Sequence, residues 1–253
     1  MSLRDQYLVV HGRKPVLEAL KAGYEIGMIH LSSRASGGVI NTIEEVARTR
    51  GVKVEHVSEN RINALTRSGQ HQGVAADVRA HRMQSLPSFL EQRTGRNYGT
   101  AVLVLDGIHN PANLGMILRS ATAAGITGVV VPDEGTASVG AVAIKASAGV
   151  AFKAPILRID NALNAVTQLI EKRFEAIAVD AEGETIFTAE FSDRVALVFG
   201  NETVGITPEI RGLCSRTVSL PLHNGVESLN VAMAASIISY EITSRQTARE
   251  TRA

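Results

Sequence analysis

The sequence predicts an α/β protein built on a mostly parallel sheet, with a smaller α/β unit at its N-terminus. Three observations carry that expectation. AVLVLDG (101–107) and VALVFG (195–200) are continuous apolar runs, as a strand buried on both faces requires. Around them, segments of helical spacing alternate with short apolar runs, the pattern of repeated strand–helix units. The first 80 residues repeat the alternation on a smaller scale and imply a small three-layer domain.

Pro15 suits a first helical turn, and the helix it opens runs to Ala22 and stops at Gly23. Residues 26–31 read as a strand. Ile40, Ile43, Val46 and Ala47 fall at helical spacing and end at Gly51. Val52, Val54 and Val57 continue as a strand, and 73–78 forms another. Residues 81–99, HRMQSLPSFLEQRTGRNYG, read as a linker with little strand character, within which SFLEQ can form a short helix. Beyond the strand at 101–107 the expected elements are helix 111–124, strand 127–132, helix 136–148, strand 154–159, helix 161–173 and strand 175–180. The strand at 195–200 then leads to a polar turn, an extended VSLPL (218–222) and a long helix over 227–245. The expected organisation is a domain over 1–80, a linker over 81–99 and a second domain over 100–253.

Composition narrows the function classes. At 45% apolar and 20% charged residues, the 253-residue chain is neither disordered nor collagen-like. No apolar run approaches the roughly 18 residues of a membrane span, and MSLRDQYLVVHGRK lacks the apolar stretch of a secretory signal. The expectation is a soluble cytoplasmic protein. A single cysteine, Cys214, excludes a disulfide framework and a cysteine-rich zinc site. The seven histidines show no metal-ligand spacing, so no metal is expected. His109 and His223 flank the segments below without forming a pattern of their own. Dinucleotide, P-loop and zincin motifs are absent. Residues 1–99 carry 14 Lys/Arg against 9 Asp/Glu, a balance of +5; residues 100–253 carry 12 against 16, a balance of −4. Contact of one half with a polyanion produces such a split, and so does ordinary surface variation.

Three segments place polar residues at the ends of apolar strands, where α/β proteins bind ligands. In LDGIHNPANLGMILRSATAAG (105–125), Asn113 and Arg119 stand six apart, and Arg119 is the only full charge between Gly107 and Gly125. An arginine there either reaches solvent, pairs with Asp106 or addresses a phosphate or reacting hydroxyl, because burial unpaired is costly. In LVFGNETVGITPEI (197–210), Gly200 permits close backbone approach, and Glu202 either binds a ligand or caps the next turn. In LPLHNGVESLNVAMAASIISYEI (220–242), Glu227 and Ser228 suit a helix N-terminus, whereas Asn230 within an apolar helix has low propensity.

N-P-x-N-x-G-x-x-x-R (110–119), F-G-N-E-x-x-G-I (199–206) and L-P-L…E-S-L-N-V-A (220–232) resemble, in order and spacing, the three motifs of the SPOUT superfamily. The resemblance is closest to its SpoU/TrmH branch of RNA ribose 2′-O-methyltransferases, and covers roughly 100–245. VHGRKPVLEAL (10–20) is similar to the N-terminal substrate-binding domain of that branch, itself like a kink-turn-binding ribosomal protein. Enzymes modifying a guanosine of large-subunit ribosomal RNA are the nearest in kind. Thr203-Val204 and His223-Asn224 depart from the usual pattern and leave the substrate open.

The resemblance implies a C-terminal domain with a deep trefoil knot, a rare exception to unknotted topology. It implies an S-adenosylmethionine pocket at Gly200, Leu220 and Leu229 with Pro221 nearby, and a homodimer in which one protomer's Arg119 completes its partner's site. Arg119 would stabilise the developing 2′-oxyanion and anchor phosphate, since arginine stays protonated; phosphate or water would take the proton. Asn113, Glu202, Ser228 and Asn230 would orient Arg119, the ribose and the adjoining phosphate. Arg13 and Lys14, beside a helix start, would grip structured RNA, with binding that weakens as salt rises. With aromatics at 4% and no Trp, recognition by shape and backbone is favoured over base stacking. A transfer-RNA ribose methyltransferase is the runner-up, a ribosome-protecting resistance enzyme shares the architecture, and a non-catalytic RNA-binding or ribosome-assembly protein is the alternative of another class.

Overall fold

The computed structural model describes residues 6–66, 69–92 and 99–250. Two sheets organise them. The first has the order β1–β4–β2–β3, from β1 (Tyr7–His11), β2 (Ile26–Ser32), β3 (Lys53–Val57) and β4 (Val74–Arg79). β4 runs antiparallel to both β1 and β2, and β2 runs parallel to β3. Helices α1 (Arg13–Lys21) and α2 (Gly38–Thr49) pack on one face through Val16, Leu20, Ile40 and Ile43. Leu8, Val10, Ile29, Leu31, Ala76 and Val78 meet them at alternate strand positions, as the two-residue strand period demands. On the opposite face, α3 (Glu59–Thr66) is tied down by Ser32 Oγ donating to Glu59 (2.8 Å) and by the His71–Asn63 contact (2.9 Å). The sequence reading lacked β1 and α3. β1 is only five residues long, and α3 buries a single apolar side chain, Ile62, so neither has a strong period.

A titratable group sits inside this sheet. His30 on β2 is buried, with Nε2 3.0 Å from Asp77 Oδ2 and Nδ1 3.1 Å from Glu55 Oε2. The bond to Asp77, helped by Glu55, holds its pKa above the ordinary value of 6.5 against the opposing effect of burial. A group whose proton is held tighter on folding stabilises the fold below its unfolded pKa, and that contribution fades as pH rises through the folded value. His11 runs the other way, because burial and the nearby His71 lower its pKa. A comparison of wild type with His30→Gln isolates the first effect. Wild type should melt higher than the variant at about pH 6, and the gap should close as pH is raised beyond the imidazole range. A gap that is constant or widens with pH would contradict this.

The second sheet has seven strands in the order β11–β9–β10–β6–β7–β8–β5, and every registered pair in it is parallel. The strands are β5 (Gln84–Ser85), β6 (Thr100–Leu105), β7 (Gly128–Pro132), β8 (Ile156–Ile159), β9 (Glu175–Thr185), β10 (Arg194–Phe199) and β11 (Arg216–Ser219). β6 and β10 lie side by side at its centre, buried on both faces as their apolar runs predict. The segment read as a linker is more structured than expected. β5 pairs with β8, and α4 (Leu86–Gln92) buries Leu86, Phe89 and Leu90 against the second core; residues 93–98 lie outside the described ones.

Helix α5 (Pro111–Ala124) has the predicted bounds, because both ends are locally encoded. Asn110 Oδ1 accepts from Ala112 N (2.9 Å), Pro111 opens the first turn, and Gly125 closes it in a left-handed conformation (φ 93°). The next helix starts later than expected: α6 (Ala141–Ala146) follows an irregular 133–140 stretch held by Ala137 N donating to Ile108 O (2.8 Å). Helices α7 (Ala162–Glu171) and α8 (Pro208–Leu213) complete the set before α9 (Val231–Glu250). The last helix begins four residues later than predicted. Residues 227–230 are therefore irregular, and Asn230 stands at the helix N-cap rather than inside it, its Oδ1 accepting from Ala232 N (2.9 Å). That overturns the view of Asn230 as an ill-placed helical residue: asparagine is among the best N-caps.

Candidate active site

The strand order brings together the carboxyl ends of β6 and β10, from segments about 90 residues apart. Asp106 N donates to Phe199 O (2.8 Å), and Asp106 Oδ2 accepts from Thr207 N (2.7 Å). Asn201 Nδ2 donates to Gly107 O (2.8 Å), and its Oδ1 accepts from Thr203 N (2.8 Å) and Val204 N (3.2 Å). Asn201 and Gly205 also exchange both backbone bonds, at 3.0 and 2.9 Å, and close a tight turn. Gly200 enters that turn with no room for a side chain: a Cβ would lie 2.2 Å from Gly205 C and 2.3 Å from Ile206 N.

Asn113, buried in the first turn of α5, is the hub of the polar residues. Its Nδ2 donates to Glu202 Oε1, and its Oδ1 accepts from Asn230 Nδ2 (3.1 Å). Three of the predicted site residues, from three separated segments, thus form one hydrogen-bonded chain. Beside it lies a cavity of about 440 Å³ whose wall includes Gly200, Glu202, Leu220, Ser228 and Leu229. Pro221 is exposed and does not line it.

Arg119 is not brought to this chain within the protomer. Six residues along an α-helix turn the direction by 600°, so Arg119 points about 120° away from Asn113. Its side chain is exposed and makes no hydrogen bond or ion pair among the described residues, which excludes the pairing with Asp106. Arg13 and Lys14 lie in the first turn of α1 on the smaller domain. Arg13 Nε donates to Gln72 O (3.1 Å), and its guanidinium lies against Gly37, the N-cap of α2. Arg13 N donates to Gln72 Oε1 (3.1 Å), so a side chain from outside the helix caps α1, whereas the glycine N-cap of α2 beside this arginine has no side-chain capping bond.

Sequence reasoning missed four residues that shape the site: Asp106 as a turn anchor, Asn201, and the ion pair of Asp180 with Arg211 on the cavity wall. Asp106 directly follows β6, Asn201 stands one residue beyond β10, and Asp180 ends the apolar run AIAV within β9. Those positions were the available signal. Among the described residues no cluster of His, Cys, Asp or Glu is arranged to hold a metal, and no helix is long and apolar enough to cross a membrane.

The chain resembles known proteins over nearly its whole length. Residues 100–240 match the SpoU rRNA methylase family, and residues 9–84 match the RNA 2′-O ribose methyltransferase substrate-binding domain. A protein of Staphylococcus saprophyticus named for the TrmH family of tRNA/rRNA methyltransferases is 30% identical over 93% of this chain and 94% of its own length. A tRNA/rRNA methyltransferase of Mycolicibacterium vanbaalenii is 31% identical over 94% of this chain and 76% of its own. Among solved structures, the SpoU methyltransferase AviRb from Streptomyces viridochromogenes, in complex with AdoMet, is 26% identical with a TM-score of 0.63, covering 97% of this chain and 92% of that one. An AdoMet-bound rRNA methyltransferase from Sinorhizobium meliloti is 25% identical with a TM-score of 0.64, covering 95% and 88%. With residues 100–240 matched to that family and residues 9–84 to the substrate-binding domain, the protein belongs to the SpoU rRNA methylase family.

Proposed function

We propose that this protein transfers a methyl group from S-adenosylmethionine to a ribose 2′-hydroxyl of ribosomal RNA, with a guanosine of the large-subunit RNA as the target. The observation that carries the proposal is the Glu202–Asn113–Asn230 chain beside the 440 Å³ cavity. The cavity suits the cofactor: its volume falls within the roughly 300–1,000 Å³ of small-molecule sites. Its wall combines apolar side chains, close backbone at Gly200, and two carboxylates with one guanidinium (Asp180, Glu202, Arg211), a net negative lining for a sulfonium. Gly200, Leu220 and Leu229 hold the cofactor, with Pro221 supporting the strand exit next to Leu220. When bound, S-adenosylmethionine supplies an electrophilic methyl group. The chain's own residues bind and orient: Asn113, Glu202, Ser228 and Asn230 fix the ribose and its phosphate, and Arg119 stabilises the developing 2′-oxyanion while phosphate or water takes the proton. The stretch from β10 through α9 carries the trefoil knot in this reading, and the reaction takes place in the cytoplasm. Arg13, Lys14 and the N-terminus of α2 contact the RNA backbone.

Ribosomal RNA as the substrate is supported by the likeness to the Sinorhizobium meliloti rRNA methyltransferase, which covers 95% of this chain. A structure titled for 2′-OH methylation of tRNA covers only 59% of this chain. The test is methyl transfer from radiolabelled S-adenosylmethionine to total RNA of a strain lacking the gene, fractionated by size. Label in large ribosomal RNA on a nuclease-resistant 2′-O-methyl dinucleotide supports the proposal, and label in transfer RNA overturns the substrate. No transfer and no cofactor binding overturns the enzyme reading in favour of an RNA-binding assembly protein.

A second copy of the chain completes the site. Met233, Ile237 and Tyr240 form an exposed stripe at helical spacing on α9, which packs beside α5, where Met116 is exposed three residues before Arg119. An apolar stripe of this kind marks an interface, and covering it with another protomer carries Arg119 towards that protomer's cavity. Tyr240→Glu combined with Met233→Glu should shift the protein from dimer to monomer in light scattering and reduce transfer in parallel. A monomeric wild type would contradict the homodimer.

A further inference from the structure

The cavity has a charged corner, Asp180 with Arg211, to which the reaction as described gives no specific contact. Val179 is the last β9 residue in register with β10, opposite Phe199, so Asp180 follows at the carboxyl end of the strand beside Gly200. The ladder of β9 with β11 breaks there: Ala178 pairs with Thr217 and Glu184 with Val218, leaving residues 179–183 looped out. Such a bulge re-aims side chains. Asp180 and Arg211, from α8, both line the cavity and pair with each other through Oδ2 and Nη2.

We propose, resting on the cofactor reading above, that Asp180 holds the vicinal hydroxyls of the cofactor's ribose, with Arg211 as the positioning residue that fixes its carboxylate. An ionised carboxylate has about four lone-pair sites on two oxygens. Oδ1 uses one to accept from Ala181 N (2.6 Å), and Oδ2 uses one for Arg211. One site therefore remains on each oxygen, side by side. A vicinal diol presents two O–H donors at that spacing. The other groups of the cofactor fit worse: its carboxylate is repelled by Asp180, and its ammonium by the adjacent Arg211. The arrangement also has the logic of dinucleotide folds, where an acidic residue at a strand end beside a glycine turn accepts from ribose hydroxyls.

The test is equilibrium binding by calorimetry with S-adenosylhomocysteine, with 5′-methylthioadenosine, which keeps the ribose and lacks the amino acid, and with the 2′,3′-dideoxy form of the latter. Asp180→Asn should weaken the first two alike, by about ten- to a hundred-fold, as expected for hydrogen bonds to a charged acceptor. Wild type should lose a similar factor when the two hydroxyls are removed, and Asp180→Asn should lose little further. Weakening confined to S-adenosylhomocysteine would assign Asp180 to the amino-acid end and overturn the proposal. Equal binding of 5′-methylthioadenosine and its dideoxy form by wild type would overturn it too, and that comparison stands even where the variant fails to fold. Wild type that binds none of the three overturns the cofactor reading itself, a distinct outcome.

Discussion

Arg119→Ala is expected to lower methyl transfer by about 10²–10³-fold, the loss typical of removing one preorganised group that stabilises transition-state charge. Its melting curve and its affinity for S-adenosylhomocysteine should be those of wild type. The side chain is exposed, bonds to nothing among the described residues and does not line the cavity, so its removal costs neither packing nor cofactor contact. Surface changes of this sort usually stay within about 0.5 kcal/mol. Arg119→Lys keeps the charge without the planar fork and should fall between the two. Steady-state kinetics beside thermal melting separates the effects. Full turnover by the alanine variant would remove Arg119 from the catalytic centre. Mixed dimers give a second reading: a protomer lacking Arg119 but with an intact cavity, paired with one lacking the cavity but keeping Arg119, should regain activity when the arginine acts across the interface.

Gly200→Ala supplies that second protomer and has the largest expected effect on structure. The added Cβ would meet Gly205 C at 2.2 Å, Ile206 N at 2.3 Å and Gly205 O at 2.6 Å, all of them backbone atoms. No side-chain rotation relieves such a contact, so the turn closed by Asn201 and Gly205 must open. Opening it also loosens the bond from Asn201 to Gly107 that joins β10 to β6. A cost on the order of 3 kcal/mol is expected, equivalent to about 6–12 °C in melting temperature for a chain of this size, together with loss of S-adenosylhomocysteine binding. Gly212→Ala on α8 is the control: a Cβ there meets nothing within 4 Å, and stability should hold or rise slightly. Unchanged cofactor binding in Gly200→Ala would show that the turn is not the cofactor wall.

How much could be read from the chain depended on whether a feature was encoded locally. α5 was legible to the residue because Asn110, Pro111 and Gly125 write its ends. β6 and β10 were legible because burial on both faces leaves an uninterrupted apolar run. α9 was misjudged by four residues, since Glu227 and Ser228 look as much like a first turn as Asn230 does, and only the backbone shows which of them caps. β5 was hidden in a two-residue stretch that becomes a strand solely by pairing with β8.

The sequence by itself determined the α/β class, the positions of the central strands and the three polar segments at their ends, because propensity, period and capping act over a few residues. The tertiary structure alone decided that Asn113 bonds both Glu202 and Asn230, that Asp180 meets Arg211 on the cavity wall, and that Arg119 turns away into solvent. Those pairings span up to 117 residues and follow from strand order, with β10 inserted between β9 and β6. Strand order is set by how whole elements pack against one another, and no short-range pattern in a chain records it.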